Sequence, residues 1–333
     1  MVTSDWETAI LGKISVQTRE LCFLLRKKYN LPSPFQSLVT NHLSTMPLAP
    51  SELILNPDGS IYHLHLLPEQ IADTILFVGD PDRVPKVSRH FDRIEHRTQK
   101  REFVTHTGEL GGRRLTVIST GIGPDNIDIV MNELDALVNI DLQTRTVKDQ
   151  LTSLNIIRIG TSGSLSAEIL PDDFIVSAFG IGLDNLLHYY DYPDTPREEA
   201  LRQSFTDFAE EIGIEISPYA TEADHGLVKK FSREMHVGIT LTCPGFYAPQ
   251  GRRLRLGSIF QAAFFEKINA FGFEGHRVTN FEMETAAILG LARMLGHRAT
   301  ACNGILANRI LGTFTPDPKQ LEEKLIEKVL SLL

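Results

Sequence analysis

A chain of 333 residues with 42% hydrophobic and 23% charged side chains has the profile of an ordinary globular protein able to bury a sizeable core. Its net charge of −9, with histidine neutral, argues against nucleic acid or an anionic membrane as the main partner, because both repel an acidic surface. Cys22, Cys243 and Cys302 are far apart and form no CxxC pair, so neither a disulfide framework nor a zinc site is expected.

The chain begins MVTSDWETAILGKISVQTRE, with acidic residues where a secretory leader carries basic ones. No stretch approaches the ~20 apolar residues of a membrane span. A cytoplasmic location is expected. Ser15 to Tyr29 has the period of an amphipathic helix, and Pro32, Pro34, Pro47 and Pro50 then interrupt the chain. Residues 1–58 read as an extension that packs on the core or on a neighbouring subunit, and residues 59–333 as one domain.

From Ser60 onward, short β-branched runs alternate with helical stretches. The expected strands are Thr74 to Val78, Leu115 to Ser119, Ile156 to Ile159, Asp173 to Ser177 and Thr300 to Ile305. The expected helices are Asp125 to Val138, Glu198 to Glu211, Arg255 to Phe271, Glu282 to Leu295 and Pro318 to Leu332. The polar segment Gln143 to Ser153 reads as a surface loop. Strands separated by helices predict an α/β fold, with an open, largely parallel sheet covered on both faces. Such sheets bind ligands beyond the carboxyl ends of their strands. Gly79-Asp80-Pro81, Gly121-Ile122-Gly123 and Gly160-Thr161-Ser162-Gly163 each follow an expected strand there.

Two patterns imitate known motifs and fail. Gly121-Ile122-Gly123-Pro124-Asp125-Asn126 lacks the third glycine of a dinucleotide fingerprint, and Pro124 lacks the free N–H that a pyrophosphate needs. Gly160-Thr161-Ser162-Gly163-Ser164 is out of register for a nucleophile elbow. His63 and His65 share one strand face but have no third ligand nearby, so polar histidines near a surface or ligand are the simpler reading. Arg83 and Arg158 carry more information. Both stand beside glycine turns, where backbone N–H groups, a threonine hydroxyl and a guanidinium fork can gather round an anion. In Asn280-Phe281-Glu282-Met283-Glu284, carboxylates at a helix start act as caps or as acceptors for sugar hydroxyls, with Met283 packing on a sugar ring.

Seven segments stand in a recognisable order: Gly79-Asp80-Pro81-Asp82-Arg83, Arg101-Glu102-Phe103, Ser119-Thr120-Gly121-Ile122-Gly123, Arg158 to Gly163, Phe246-Tyr247 with Gln250 and Arg252, Glu282-Met283-Glu284, and Asn308-Arg309. From about Tyr62 to Arg309 the chain thereby resembles the nucleoside phosphorylases, most closely those that act on uridine. The resemblance implies a single-domain, three-layer αβα fold with a mixed central sheet. It implies reversible phosphorolysis of uridine to uracil and ribose 1-phosphate, a pentosyl transfer in pyrimidine salvage and catabolism. Inorganic phosphate is then the co-substrate, with no cofactor and no nucleic-acid or membrane partner. A homodimer or hexamer that shares its active sites between subunits is implied as well.

By the same resemblance, Gly79, Arg83, Arg158 and Thr161 bind phosphate, with Arg101 reaching it from the neighbouring subunit. His63 crosses that interface to the ribose 5′-hydroxyl, Met283 and Glu284 hold the ribose, and Phe246, Gln250 and Arg252 hold the base. The catalytic set is Arg252, Gln250, Glu284 and Arg158. A glutamine complements N3–H and O4 of uracil, and cytosine reverses both groups. Asn308-Arg309 stands where a purine phosphorylase would place an acidic residue. Ala248-Pro249 and Gly251 depart from bacterial relatives around Gln250. Asn126 replaces a serine that accompanies a bound monovalent cation in some relatives, which argues against that ion although Glu102 is present. The alternatives are a purine nucleoside phosphorylase or nucleosidase on the same fold, and a non-catalytic nucleoside-binding protein.

Overall fold

The computed structural model describes residues 46–191 and 193–333, so the expected helix Ser15 to Tyr29 and Cys22 lie outside the described residues. The main strands are β1 (Thr74–Val78), β2 (Arg93–Lys100), β3 (Phe103–Leu110), β4 (Arg113–Ser119), β5 (Asn155–Ser164), β6 (Phe174–Gly182), β7 (His236–Thr242), β8 (His276–Glu282) and β9 (Arg298–Asn308). The helices are α1 (Arg83–Ser88), α2 (Pro124–Asn139), α3 (Pro196–Glu211), α4 (His225–Phe231), α5 (Ala262–Ile268), α6 (Thr285–Met294) and α7 (Pro318–Leu332). Among the described residues no helix is long and apolar enough to cross a membrane.

Alternation along β1 explains the layers. Ile75 and Phe77 point to one face, where they pack with Ile127, Val130, Met131 and Leu134 of α2 and with Ile288 and Leu291 of α6. Leu76 and Val78 point to the other, against Val84 and Val87 of α1 and Leu325, Ile326 and Val329 of α7. The expected three-layer αβα arrangement around a mixed sheet is therefore present.

The sheet runs β8-β7-β6-β9-β5-β1-β4-β3-β2. β9, β5, β1 and β4 are mutually parallel, while β6 lies antiparallel to β9 and the β2–β3–β4 edge is an antiparallel meander. β6, β7 and β8 are parallel to one another as well, but the sheet is mixed and is not open as the strand–helix alternation suggests. β8 curls back and pairs antiparallel with β5 through Asn280–Ser164 and Phe281–Gly163, closing β5, β9, β6, β7 and β8 into a ring. This closure carries the carboxyl end of β8 to that of β5.

Several expected boundaries shift for local reasons. The helix expected from Arg255 to Phe271 shrinks to α5, because Ser258 bonds the Ala248 carbonyl and Leu254, Leu256 and Ile259 face solvent. The helix expected from Glu282 begins at Thr285, since Glu282 ends β8 and its carboxylate accepts from the N–H groups of Glu284 and Thr285. The segment expected as a plain loop contains Thr146–Val147, which pairs with Ile140–Asp141. Arg145 there holds the carbonyls of Leu48, Ala49 and Leu53, so the end of the N-terminal segment is fastened to this chain's own core.

Candidate active site

The carboxyl ends of β1, β4, β5, β8 and β9 meet around a cavity of about 610 Å³. Gly79, Arg83, Arg158, Thr161, Phe246, Gln250, Arg252, Met283 and Glu284 all line it, so the structure brings together nine of the eleven residues singled out as a site. A broader groove of about 890 Å³ between α3 and α5 is lined by Gln203, Asp207, Glu211, Glu266 and Lys267, and has no cluster of cations to hold an anion.

Arg158 reaches the cavity floor from the middle of β5. Its Nη2 pairs with Glu284 Oε2, and its Nε lies 3.4 Å from Glu282 Oε2. Glu284 Oε1 accepts from the Gly123 amide at 2.9 Å. Burial pushes the Glu284 carboxyl above the ordinary glutamate value, while the charge of Arg158 pulls the other way. Glu282 has the structural role: it takes the Thr242 hydroxyl at 2.6 Å and the amides that open α6. Both carboxylates of this run line the cavity, and Glu282 in addition caps α6.

Arg83 enters from the first turn of α1. Its Nη1 donates to the Ile159 carbonyl at 3.2 Å and its Nη2 pairs with Glu322 of α7 at 2.8 Å. Three buried guanidinium nitrogens, Arg83 Nε and Arg158 Nε and Nη1, have no hydrogen-bond partner among the described residues. Buried unpaired donors are costly, and two arginines that keep them beside Gly79 and Thr161 are set up for an anionic ligand.

The loop after β7 supplies a second cationic corner. A short 3₁₀ turn, Ala248–Gln250, ends at Gly251 with φ +70°, and a Cβ there would lie 2.4 Å from the Phe265 ring. Arg252 donates to Gln250 Oε1 at 2.6 Å and to the Phe246 carbonyl at 2.7 Å, and its guanidinium lies 3.7 Å from the Phe246 ring centre. Arg309 donates to the Gln250 carbonyl at 3.2 Å. Burial, reinforced by the Arg309 charge, holds Arg252 down to about 10. A planar ligand that gains negative charge would relieve that repulsion.

His63 and Arg101 do not line the cavity. His63 Nδ1 lies 2.6 Å from Glu133 Oε1, and the same carboxylate takes the amides of His63 and Leu64. Arg101 is exposed at the β2–β3 hairpin tip with φ +55°. The two segments adjoin, since Lys100 bonds the Tyr62 carbonyl. Beside Glu102, Asn126 turns its amide nitrogen over Gly121, where a Cβ would meet it at 2.2 Å. Among the described residues no group of three or more His, Cys, Asp or Glu could hold a metal ion.

Sequence reasoning missed Phe281, Leu306, Ala307 and Phe314, which line the cavity, and Glu322, which holds Arg83. The apolar four carry no motif. Glu322 sits in an unremarkable charged helix, and only the packing of α7 reveals its partner.

Compared with known proteins, residues 73–330 match the phosphorylase superfamily. A uridine phosphorylase of Thermococcus kodakarensis is 30% identical over 257 residues, covering 77% of this chain and 80% of that protein. A uridine phosphorylase of Escherichia coli is 29% identical, covering 75% and 87% respectively. Among solved structures, a Trypanosoma brucei nucleoside phosphorylase that shows uridine phosphorylase activity superposes with a TM-score of 0.73 at 28% identity, over 84% of this chain and all of that one.

Proposed function

The chain belongs to the phosphorylase superfamily, and on that footing we propose that it is a uridine phosphorylase, converting uridine and phosphate reversibly to uracil and ribose 1-phosphate. The observation that carries the reading is one cavity with two cationic corners. Arg83 and Arg158 keep unpaired donors at one, Arg252 stands against Arg309 at the other, and Glu284 faces the same space.

In this mechanism Gly79, Arg83, Arg158 and Thr161 hold phosphate, with Arg101 added from a second subunit. Glu284 accepts from ribose hydroxyls while Met283 packs on the ring. The bond from C1′ to N1 lengthens, the ribose gains oxocarbenium character, and a phosphate oxygen attacks C1′ from the opposite face. The bonding pair passes to uracil, where Arg252 and Gln250 meet the charge. Phe246, stacked under Arg252, bounds the base. No covalent enzyme intermediate is needed, and the protein contributes positioning and electrostatics. His63, steadied by Glu133, serves the ribose 5′-hydroxyl across the interface.

The same reading makes residues 1–58 an extension and 59–333 the catalytic domain. It makes the smallest competent unit a dimer, working in the cytoplasm in pyrimidine salvage. No step needs a metal or an organic cofactor.

The test is release of uracil from uridine with and without phosphate, alongside thymidine, inosine and adenosine. Uracil and ribose 1-phosphate formed only when phosphate is present is the expected result. Equal release in phosphate-free buffer would identify a nucleosidase, and preference for inosine or adenosine a purine phosphorylase.

A further inference from the structure

We propose that Glu322 of α7 is a positioning residue that sets Arg83 for phosphate. The proposal rests on the phosphorolytic reading above. Arg83 and Glu322 are far apart in the chain, yet their side chains are only 10% and 12% exposed and meet at 2.8 Å.

The fold fixes both ends of this contact. Asp317 starts α7 by accepting from the amides of Lys319 and Gln320, which places Glu322 one turn in. Leu321 beside it lies against Gly304 of β9, where a Cβ would come within 3.1 Å of its side chain. Leu325, Ile326 and Val329 pack with Val84 and Val87, which flank Arg83 on α1. The helix cannot slide without opening that apolar cluster.

The carboxylate is also shared. Its Oε1 takes Lys86 Nζ at 2.6 Å, one turn after Arg83 on α1. Burial pushes the Glu322 carboxyl up, but the bonds from Lys86 and Arg83 outweigh it and hold the group below the ordinary glutamate value. Glu322 is therefore ionised wherever phosphate is a useful nucleophile. It does not line the cavity. Its effect passes through Arg83. With Nη2 on Glu322 and Nη1 on the Ile159 carbonyl, only Nε of Arg83 is left unpaired, and the fork is locked about its axis. Arg158 is pinned in the same manner by Glu284. Arg83 and Arg158 thus each pair with a carboxylate, and the two carboxylates come from different helical regions of the chain.

Phosphate KM, uridine KM and kcat of Glu322→Ala and Glu322→Gln, with the midpoint of phosphate-induced thermal stabilisation, test the assignment. Glu322→Ala should raise phosphate KM about tenfold, the scale of one charge-assisted hydrogen bond, and leave uridine KM unchanged and kcat within about twofold. Glu322→Gln should fall between, because its amide oxygen can still accept from Arg83. A purely structural ion pair would instead lower the active fraction with both KM values unchanged, and that result overturns the proposal. So does a fall in phosphate KM, which would mean that Glu322 competes with phosphate for Arg83. Thermal stabilisation by inorganic phosphate reads the contact without turnover. If the wild-type protein leaves uridine intact, the functional reading fails, while an unchanged phosphate midpoint in Glu322→Ala sinks the positioning role alone.

Discussion

Arg158 and Glu284, one in the middle of a strand and the other at the mouth of a helix, form an ion pair whose side chains are 6% and 3% exposed. Taking two charges out of water is costly, and the pair persists only because the Gly123 amide and the nearby Glu282 complete its surroundings. Removing either partner strands the other. Arg158→Ala should therefore lose about 3–5 kcal/mol of unfolding free energy as well as uridine cleavage. Urea denaturation checks the first and the phosphorolysis assay the second. Stability within about 1 kcal/mol of wild type would show that water relieves the orphaned carboxylate.

Arg252 presents the opposite case. Its bonds go to Phe246 and Gln250 in its own loop, so the fold does not depend on it. Arg252→Ala should lower kcat/KM for uridine by about 10²–10³, the usual loss when a preorganised donor to developing charge is removed. Its melting temperature should stay close to that of wild type. Near-normal turnover in this variant would sink the role assigned to Arg252.

Gly160 is needed for space. A Cβ there would lie 2.7 Å from Asn303 Oδ1 and 3.2 Å from Arg158 Nε. Asn303 is fully buried, so the added methyl displaces either it or the guanidinium. Gly160→Ala should cost about 1–3 kcal/mol and raise phosphate KM more than uridine KM. Equal changes in the two constants would place the strain elsewhere.

Asp184 gives a pH signature. It accepts from the Tyr219 hydroxyl and the Leu186 amide, both at 2.8 Å, yet burial raises its carboxyl above the ordinary aspartate value. A raised carboxyl stabilises the fold while protonated, and that contribution is lost as pH rises through the folded value. Asp184→Asn cannot titrate. Its stability relative to wild type should therefore improve between pH ~4 and pH ~8. Urea midpoints at the two ends measure this, and a constant difference would contradict the burial argument.

Much of the fold was legible where local signals were strong. β1 and α7 fall on the expected residues, and α2 extends its expected span by one residue at each end. The two helices have long apolar periods and start at a proline, and β1 is a short unbroken apolar run from Ile75 to Val78, followed by Gly79. The stretch from Leu254 to Ile259 misled, because apolar residues at helical spacing there serve an exposed loop. Nothing in His276 to Glu282 announces that the strand will turn back on β5.

The guanidinium groups of the candidate site show the same division. Sequence by itself determined that Arg83 follows one glycine-bearing segment and Arg158 precedes another, since glycine and guanidinium chemistry is local, whereas the structure carries β5 on through Gly160 and Gly163 to Ser164. It also supplied the Gln250–Arg252 spacing, which lets one side chain bond the other within a short turn. Only the tertiary structure decided which carboxylates stand behind those arginines. The ring closure of β5 through β8 delivers Glu284 to Arg158, and the packing of α7 on α1 delivers Glu322 to Arg83. Pairings across such distances are set by the shape of a buried apolar surface, and no window of residues encodes that shape.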